Sequence, residues 1–156
     1  MRISVLVFRD CMAMISISAV ELLRKSDLIR AAVTGDPTPF FEVELVAADT
    51  HPTVIASYGF PVRCDRTLSD PPITDLVVVP AFDDDVVAQM EKNRAAVEWV
   101  RAAYDHGADV ASVCTGAFVL AEAGLLDGRT ATTHWNSQDL FHERYPKVKL
   151  VSDRII

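Results

Sequence analysis

Short β-branched runs alternate with longer amphipathic segments along this chain. Ile3-Ser4-Val5-Leu6-Val7-Phe8 opens it as a strand with little alternation. A strand apolar on both faces belongs in the middle of a parallel sheet covered on both sides. Arg9, Asp10 and Cys11 form a loop, and a helix is predicted from about Met12 to Val33. On it Ile15, Ala19, Leu22, Ile29 and Val33 share one face at spacings of three, four or seven. Arg24, Lys25, Asp27 and Arg30 mark its wet side, and Gly35-Asp36-Pro37-Thr38-Pro39 ends it. Phe41 to Ala47 reads as a second strand, placed nearer an edge because Glu42 and Glu44 alternate with apolar residues.

Val54-Ile55-Ala56 and Val62-Arg63-Cys64 flank Ser57-Tyr58-Gly59-Phe60-Pro61 as a small hairpin or excursion. Asp70-Pro71-Pro72 reads as a loop, and Asp75-Leu76-Val77-Val78-Val79-Pro80 as a central strand that Pro80 closes. Asp83, Asp84 and Asp85 precede a helical pattern; the reading is capping and dipole compensation, not a metal site. Asn93 is expected to cap a helix to His106, with Val97, Val100 and Tyr104 inward and Glu98, Arg101 and Asp105 outward. Gly107 suits its C-terminal cap. Thr130 to Thr133 is a short strand. Asn136 or Ser137 caps a helix through Tyr145, and Pro146 stops it. Val148 to Val151 is a last strand, and Asp153-Arg154-Ile155-Ile156 again reads as strand.

Strands alternating with helices imply a doubly wound parallel sheet. Sites in such sheets lie outside the carboxyl ends of the central strands. Segments expected to converge there are Arg9 to Ser16, Pro80-Ala81-Phe82 and Cys114-Thr115, with His134 at the same edge. The run Asp109 to Gly124 places a short buried strand, a Cys, Thr-Gly and an Ala-rich helix in succession. That is the layout of a nucleophile elbow, in which the side chain is presented at a sheet's carboxyl end. The following N–H groups can then face a developing oxyanion. A free Cys packed as a small hydrophobe at a strand end fits the local pattern equally well.

Composition narrows these readings. At 156 residues, half of them hydrophobic, the chain is one globular domain. A net charge of −7 argues against this segment gripping a phosphate backbone itself. Cys11, Cys64 and Cys114 are odd in number with no CxxC spacing, so neither a disulfide framework nor a zinc site is indicated. Reduced thiols in the cytoplasm are the simplest account. No run approaches a membrane span, and the opening apolar stretch is too short for a signal peptide.

The motifs Asp75–Pro80, Ser112-Val113-Cys114-Thr115-Gly116-Ala117-Phe118-Val119-Leu120-Ala121, Ala123-Gly124-Leu125-Leu126-Asp127-Gly128-Arg129 and Ala131-Thr132-Thr133-His134-Trp135 resemble the ThiJ/PfpI family. This family is flavodoxin-like and related to class I glutamine amidotransferases. The resemblance is strongest to the amino-terminal domains of AraC-type transcriptional regulators and to isonitrile hydratases. It implies an α/β flavodoxin-like three-layer sandwich, with a mostly parallel sheet and a strand–elbow–helix at Cys114. It implies a single domain over 1–156, with at least one more strand and helix, and in regulators a DNA-binding helix-turn-helix pair, beyond Ile156. It further implies an effector-sensing module that forms a homodimer and reaches DNA only through that other domain, with no cofactor and no metal.

Carried over onto this chain, Cys114 takes the elbow position and the Thr115 N–H one oxyanion donor. The Ala81-Phe82 segment takes the place of the second donor, with bulky Phe82 reshaping the pocket. His134 matches a histidine that neighbours the elbow. Catalytic candidates are therefore Cys114 and His134, and ligand-binding candidates are Ala81, Phe82, Thr115, Gly116, Met14, Ser16 and Trp135. Three departures weaken an enzymatic reading. Thr115 stands where protease-type relatives have His. The loop Met12-Ala13-Met14-Ile15-Ser16 lacks the hydratases' acid, although Asp10 and Glu21 flank it. The amidotransferase His–Glu pair has no counterpart. A thiol with one candidate base and no orienting acid is a weak catalytic set. His134 reads better as a structural or pocket-lining residue, Trp135 as core or dimer packing, and Met12 and Met14 as pocket wall or core filling. The leading expectation is a sensor domain. The alternatives are a cysteine-dependent hydratase or hydrolase and a thiol-based redox sensor.

Overall fold

A computed structural model describes residues 1–68, 73–83 and 85–153. The predicted loop at Asp70-Pro71-Pro72, Asp84, and the strand reading at Arg154-Ile155-Ile156 lie outside the described residues.

The main sheet has five parallel strands in the order β5-β2-β1-β6-β7. These are β1 (Arg2–Val7), β2 (Glu42–Ala47), β5 (Arg66–Thr67), β6 (Leu76–Val79) and β7 (Asp109–Ser112). The strand predicted to be central, β1, lies in the middle, paired on both sides. Its side chains divide as a doubly covered strand must. Ile3 and Val5 pack with Val20 of helix α1 (Ala13–Thr34) on one face. Leu6 joins the larger core on the other, with Trp99, Val100 and Ala103 of α3 (Arg94–Asp105). The predicted hairpin forms from β3 (Thr53–Ile55) and β4 (Pro61–Arg63). A second small sheet pairs β8 (Thr130–Ala131) with β9 (Lys149–Leu150), apart from the main one. Helix α2 (Val86–Lys92) leads into α3. α4 (Ala117–Glu122) follows the elbow, and α5 (Gln138–Arg144) packs Phe141 edge-on against Phe118 at 4.9 Å.

Several expectations are corrected by packing. On α1 the buried residues are Ala13, Ser16 and Val20, while Leu22, Ile29 and Val33 are exposed. The helix is apolar on two sides, so periodicity alone did not select the inner one. It is also longer than the sheet it covers: 22 residues span about 33 Å, against about 20 Å for six-residue β1. Asp27, expected on the wet side, turns inward and accepts the amides of Phe40 and Phe41 and Arg30 Nε. These bonds secure the connection into β2. Burial raises the Asp27 carboxyl, but the two amides and Arg30 outweigh it and hold the group below the usual carboxylate range.

β2 is next to the edge, since β5 lies outside it. Glu44 therefore does not face water freely: it accepts from Ser4 Oγ at 2.8 Å and from Arg66 Nη2 at 2.8 Å and Nε at 3.0 Å. Among the described residues the elbow strand β7, expected to be buried, is the last strand of the sheet, with Asp109 and Ala111 exposed. Asp85 caps α2, accepting from Val87 N–H and Ala88 N–H. Asn93 does not cap α3 through its side chain; its amide donates instead to Gln89 Oε1 and to the carbonyls of Gln89 and Arg9.

Candidate functional site

β7 ends at Ser112, and the chain turns sharply through a 3₁₀ turn, Cys114–Gly116, into α4. Cys114 sits at φ 55°, a left-handed conformation that costs a non-glycine residue energy. The surroundings hold it there. The Thr115 hydroxyl is buried; it donates to Phe82 O at 2.7 Å and accepts from Phe82 N–H at 2.8 Å. Thr133 Oγ1 donates to Cys114 O at 3.3 Å. Gly116 passes so close to β6 that a Cβ there would lie 2.7 Å from Pro80 O and 2.8 Å from Val79 O. The glycine is demanded by this approach, not by its φ.

The predicted segments do meet at this edge. Met12 N–H donates to Ala81 O at 2.8 Å, and Cys11 and Phe82 form an isolated antiparallel bridge. The ring of Phe82 packs edge-on against Phe8 at 5.9 Å. Of the ligand-binding candidates, Ala81, Phe82, Ser16, Thr115 and Gly116 are buried. The Ser16 hydroxyl donates to Leu6 O at 2.8 Å. These residues form the floor and framework of the edge. Met14 and Trp135 are exposed, at 67% and 75%, as is Cys114.

The catalytic set is sparse. The Phe82 N–H is taken up by Thr115 Oγ1, so it does not serve as a free oxyanion donor. His134 caps the 3₁₀ turn Trp135–Ser137, its Nδ1 accepting from Asn136 N–H at 3.3 Å, and its ring lies 5.3 Å from that of Trp135. Among the described residues no hydrogen bond joins Cys114 to His134. Asp10, one of the two carboxylates flanking the first loop, binds Gln89 Nε2 and Lys92 Nζ, both at 3.3 Å. Glu21 is exposed on α1. Cys11 and Cys64 are buried, and burial pushes their thiols up to about 11 and about 12. Among the described residues no group of three His, Cys, Asp or Glu side chains could hold a metal ion, and no helix is long and apolar enough to cross a membrane.

Sequence reasoning located the elbow but missed its two threonine latches. The sequence marks Thr115 as an oxyanion donor and a ligand-binding candidate and Thr133 as part of a motif, and neither as a latch. A hydroxyl immediately after the elbow cysteine, beside a buried strand end, was the available signal.

The chain matches the DJ-1/PfpI family over residues 1–154. It is 36% identical over 137 residues to the HTH-type transcriptional regulator CdhR of Pseudomonas aeruginosa, covering 88% of this chain and 38% of the regulator. It is 36% identical over 102 residues to the isonitrile hydratase of Pseudomonas putida, covering 65% of this chain and 43% of that enzyme. The chain therefore spans about two fifths of the length of either relative. The crystal structure of a putative transcriptional regulator from Vibrio parahaemolyticus superposes on all of it with a TM-score of 0.79 at 22% identity, covering 79% of that chain. That likeness establishes a flavodoxin-like fold. The chain belongs to the DJ-1/PfpI family.

Proposed function

We propose that this domain is the effector-sensing and dimerising part of an HTH-type, AraC-family transcriptional regulator working in the cytoplasm. A small molecule binds at the carboxyl edge beside Cys114, with the exposed side chains of Met14 and Trp135 as contacts and Thr115, Gly116, Ser16, Ala81 and Phe82 as its framework. The observation that carries this reading is the match across 88% of the chain to a relative named as an HTH-type transcriptional regulator. The chemistry of the elbow supports it: among the described residues the thiol has no hydrogen-bonded base, and the Phe82 N–H is taken by Thr115 Oγ1. The outer side of α1, with Leu22, Leu28, Ile29 and Val33 exposed, supports a homodimer, because a monomer rarely leaves such a stripe in water. The net charge of −7 supports DNA contact through a domain outside this chain.

The test is ligand screening of the full-length protein by thermal shift, followed by the Cys114→Ala variant. On this reading Cys114→Ala keeps dimerisation and ligand-dependent DNA binding within a few fold of wild type. Loss of a measurable turnover on the same change would overturn it.

A second reading, a cysteine-dependent hydratase or hydrolase, is favoured by one observation: Cys114 occupies a strained φ of 55° while remaining exposed. It requires a thiolate near neutral pH. The pH profile of Cys114 alkylation separates the readings, since an ordinary thiol profile removes the nucleophile.

A further inference from the structure

A groove of about 760 Å³ runs along the α2–α3 side of the molecule. Val87, Met90 and Val97 give it an apolar floor. Glu122 and Arg144, at the ends of α4 and α5, form its far rim. The near rim is a row of charges: Glu91, Arg94, Glu98 and Arg101, all exposed.

The order and spacing of that row are symmetrical. Acid and base alternate, and the steps between them are three, four and three residues. Glu91 and Arg101 are therefore equally far from Ala96 along the chain, and so are Arg94 and Glu98. Laid antiparallel against a copy of itself, the row sets every charge opposite one of the other sign. Laid parallel in the same register, it sets like against like. Such a row selects a two-fold contact, in which one patch serves both partners.

The central charges are available for it. Glu91, Arg94 and Glu98 form no ion pair among the described residues. Arg94 and Glu98 stand one helical turn apart, but cation before acid is the weaker order for pairing within a helix. Arg101 is shared with Asp105, 2.9 Å from its Nε. The far rim is satisfied internally: Arg144 Nη2 lies 3.6 Å from Glu122 Oε2, which also accepts from the Tyr145 hydroxyl. The recognition therefore falls mainly on Arg94 and Glu98.

We propose that a second copy of this chain docks here in antiparallel, two-fold contact, the α3 ridge of each protomer lying along the groove of the other. Arg94 then meets the partner's Glu98, and Glu91 meets the partner's Arg101, each pair occurring twice. The apolar floor is covered by the same contact. This surface is separate from the exposed stripe of α1. Helix α3 packs on the Leu6 side of the sheet and α1 on the Ile3 and Val5 side, so the two surfaces face opposite ways. The proposal rests neither on the regulator reading nor on a dimer through α1.

The experiment is sedimentation velocity of the full-length protein over a range of concentrations, at about 50 mM and about 500 mM salt. Association through the charged row is expected to weaken at the higher salt, because exposed pairs are screened. It should persist in Leu28→Lys, which disables the α1 stripe. Arg94→Glu and Glu98→Arg should each weaken it by about tenfold, since either change turns two symmetry-related attractions into repulsions. Both variants should melt near wild type, because the two side chains are exposed. The double variant Arg94→Glu/Glu98→Arg restores every opposite-sign contact and should associate within about twofold of wild type. Absence of a salt-sensitive association, single variants that associate like wild type, a double variant no better than the singles, or loss of the association in Leu28→Lys would each overturn the proposal.

Discussion

Three cysteines of one chemical type lie in two different settings, and their reactivity should follow. Cys11 and Cys64 are sealed in the core with thiols raised to about 11 and about 12, while Cys114 stands exposed. Brief alkylation of the native protein at pH 8 should therefore modify one thiol, and peptide mapping should find it at Cys114; unfolding in denaturant should release the other two. The Thr115 hydroxyl is the second residue whose setting dictates its role. Thr115→Val keeps the shape but leaves a buried N–H and a buried carbonyl of Phe82 without partners. Urea denaturation should show a loss of about 1–3 kcal/mol, and Thr115→Ser should recover most of it. The position of the elbow cysteine was readable from residue pattern alone. Its left-handed backbone and its latches were not, because they depend on Phe82, more than thirty residues upstream, and on Thr133, nineteen residues downstream.

At the scale of elements, local rules succeeded where the partner was local. Asp85 caps α2 because its carboxylate reaches amides two and three residues ahead. Asp85→Ala should cost about 1 kcal/mol in thermal or chemical denaturation, and Asp85→Ser should cost less. They failed where a distant element competed. Asn93 had the right type and position to cap α3, yet the loop after β1 and Gln89 claim its amide. On α1 the outward stripe and the inward stripe are both apolar, so only the sheet beneath decides which is core.

For the molecule as a whole, a partly buried ion pair links three strands on the α3 face of the sheet. Ser4 of β1, Glu44 of β2 and Arg66 of β5 meet there, with the Arg66 guanidinium 5.7 Å from the Trp99 ring of α3. Burial raises the Glu44 carboxyl, but Arg66 and Ser4 together hold it below its ordinary value of 4.5. A depressed carboxylate contributes stability that is fully present above the unfolded pKa and is lost as pH falls through the native one. Glu44→Gln should therefore lower the urea midpoint at pH 7, and the gap to wild type should narrow as the pH is taken below about 4. A constant gap across that range would mean that Glu44 acts by packing and not by charge.

By itself the sequence determined the α/β class, the middle place of β1, the hairpin, the strand–turn–helix layout at Cys114 and a helix cap among Asp83 to Asp85. Each of these follows from residue type and short-range spacing, which act within a few residues. Only the tertiary structure decided that β7 comes last in the sheet order of the described residues, that α1 buries Ala13, Ser16 and Val20, that the Phe82 amide is taken by Thr115, and that Asp10 and Asp49 pair with Lys92 and Arg9. These are consequences of strand order and of contacts between residues 10 to 82 positions apart. The energy of such contacts belongs to pairs, and no single stretch of chain carries it.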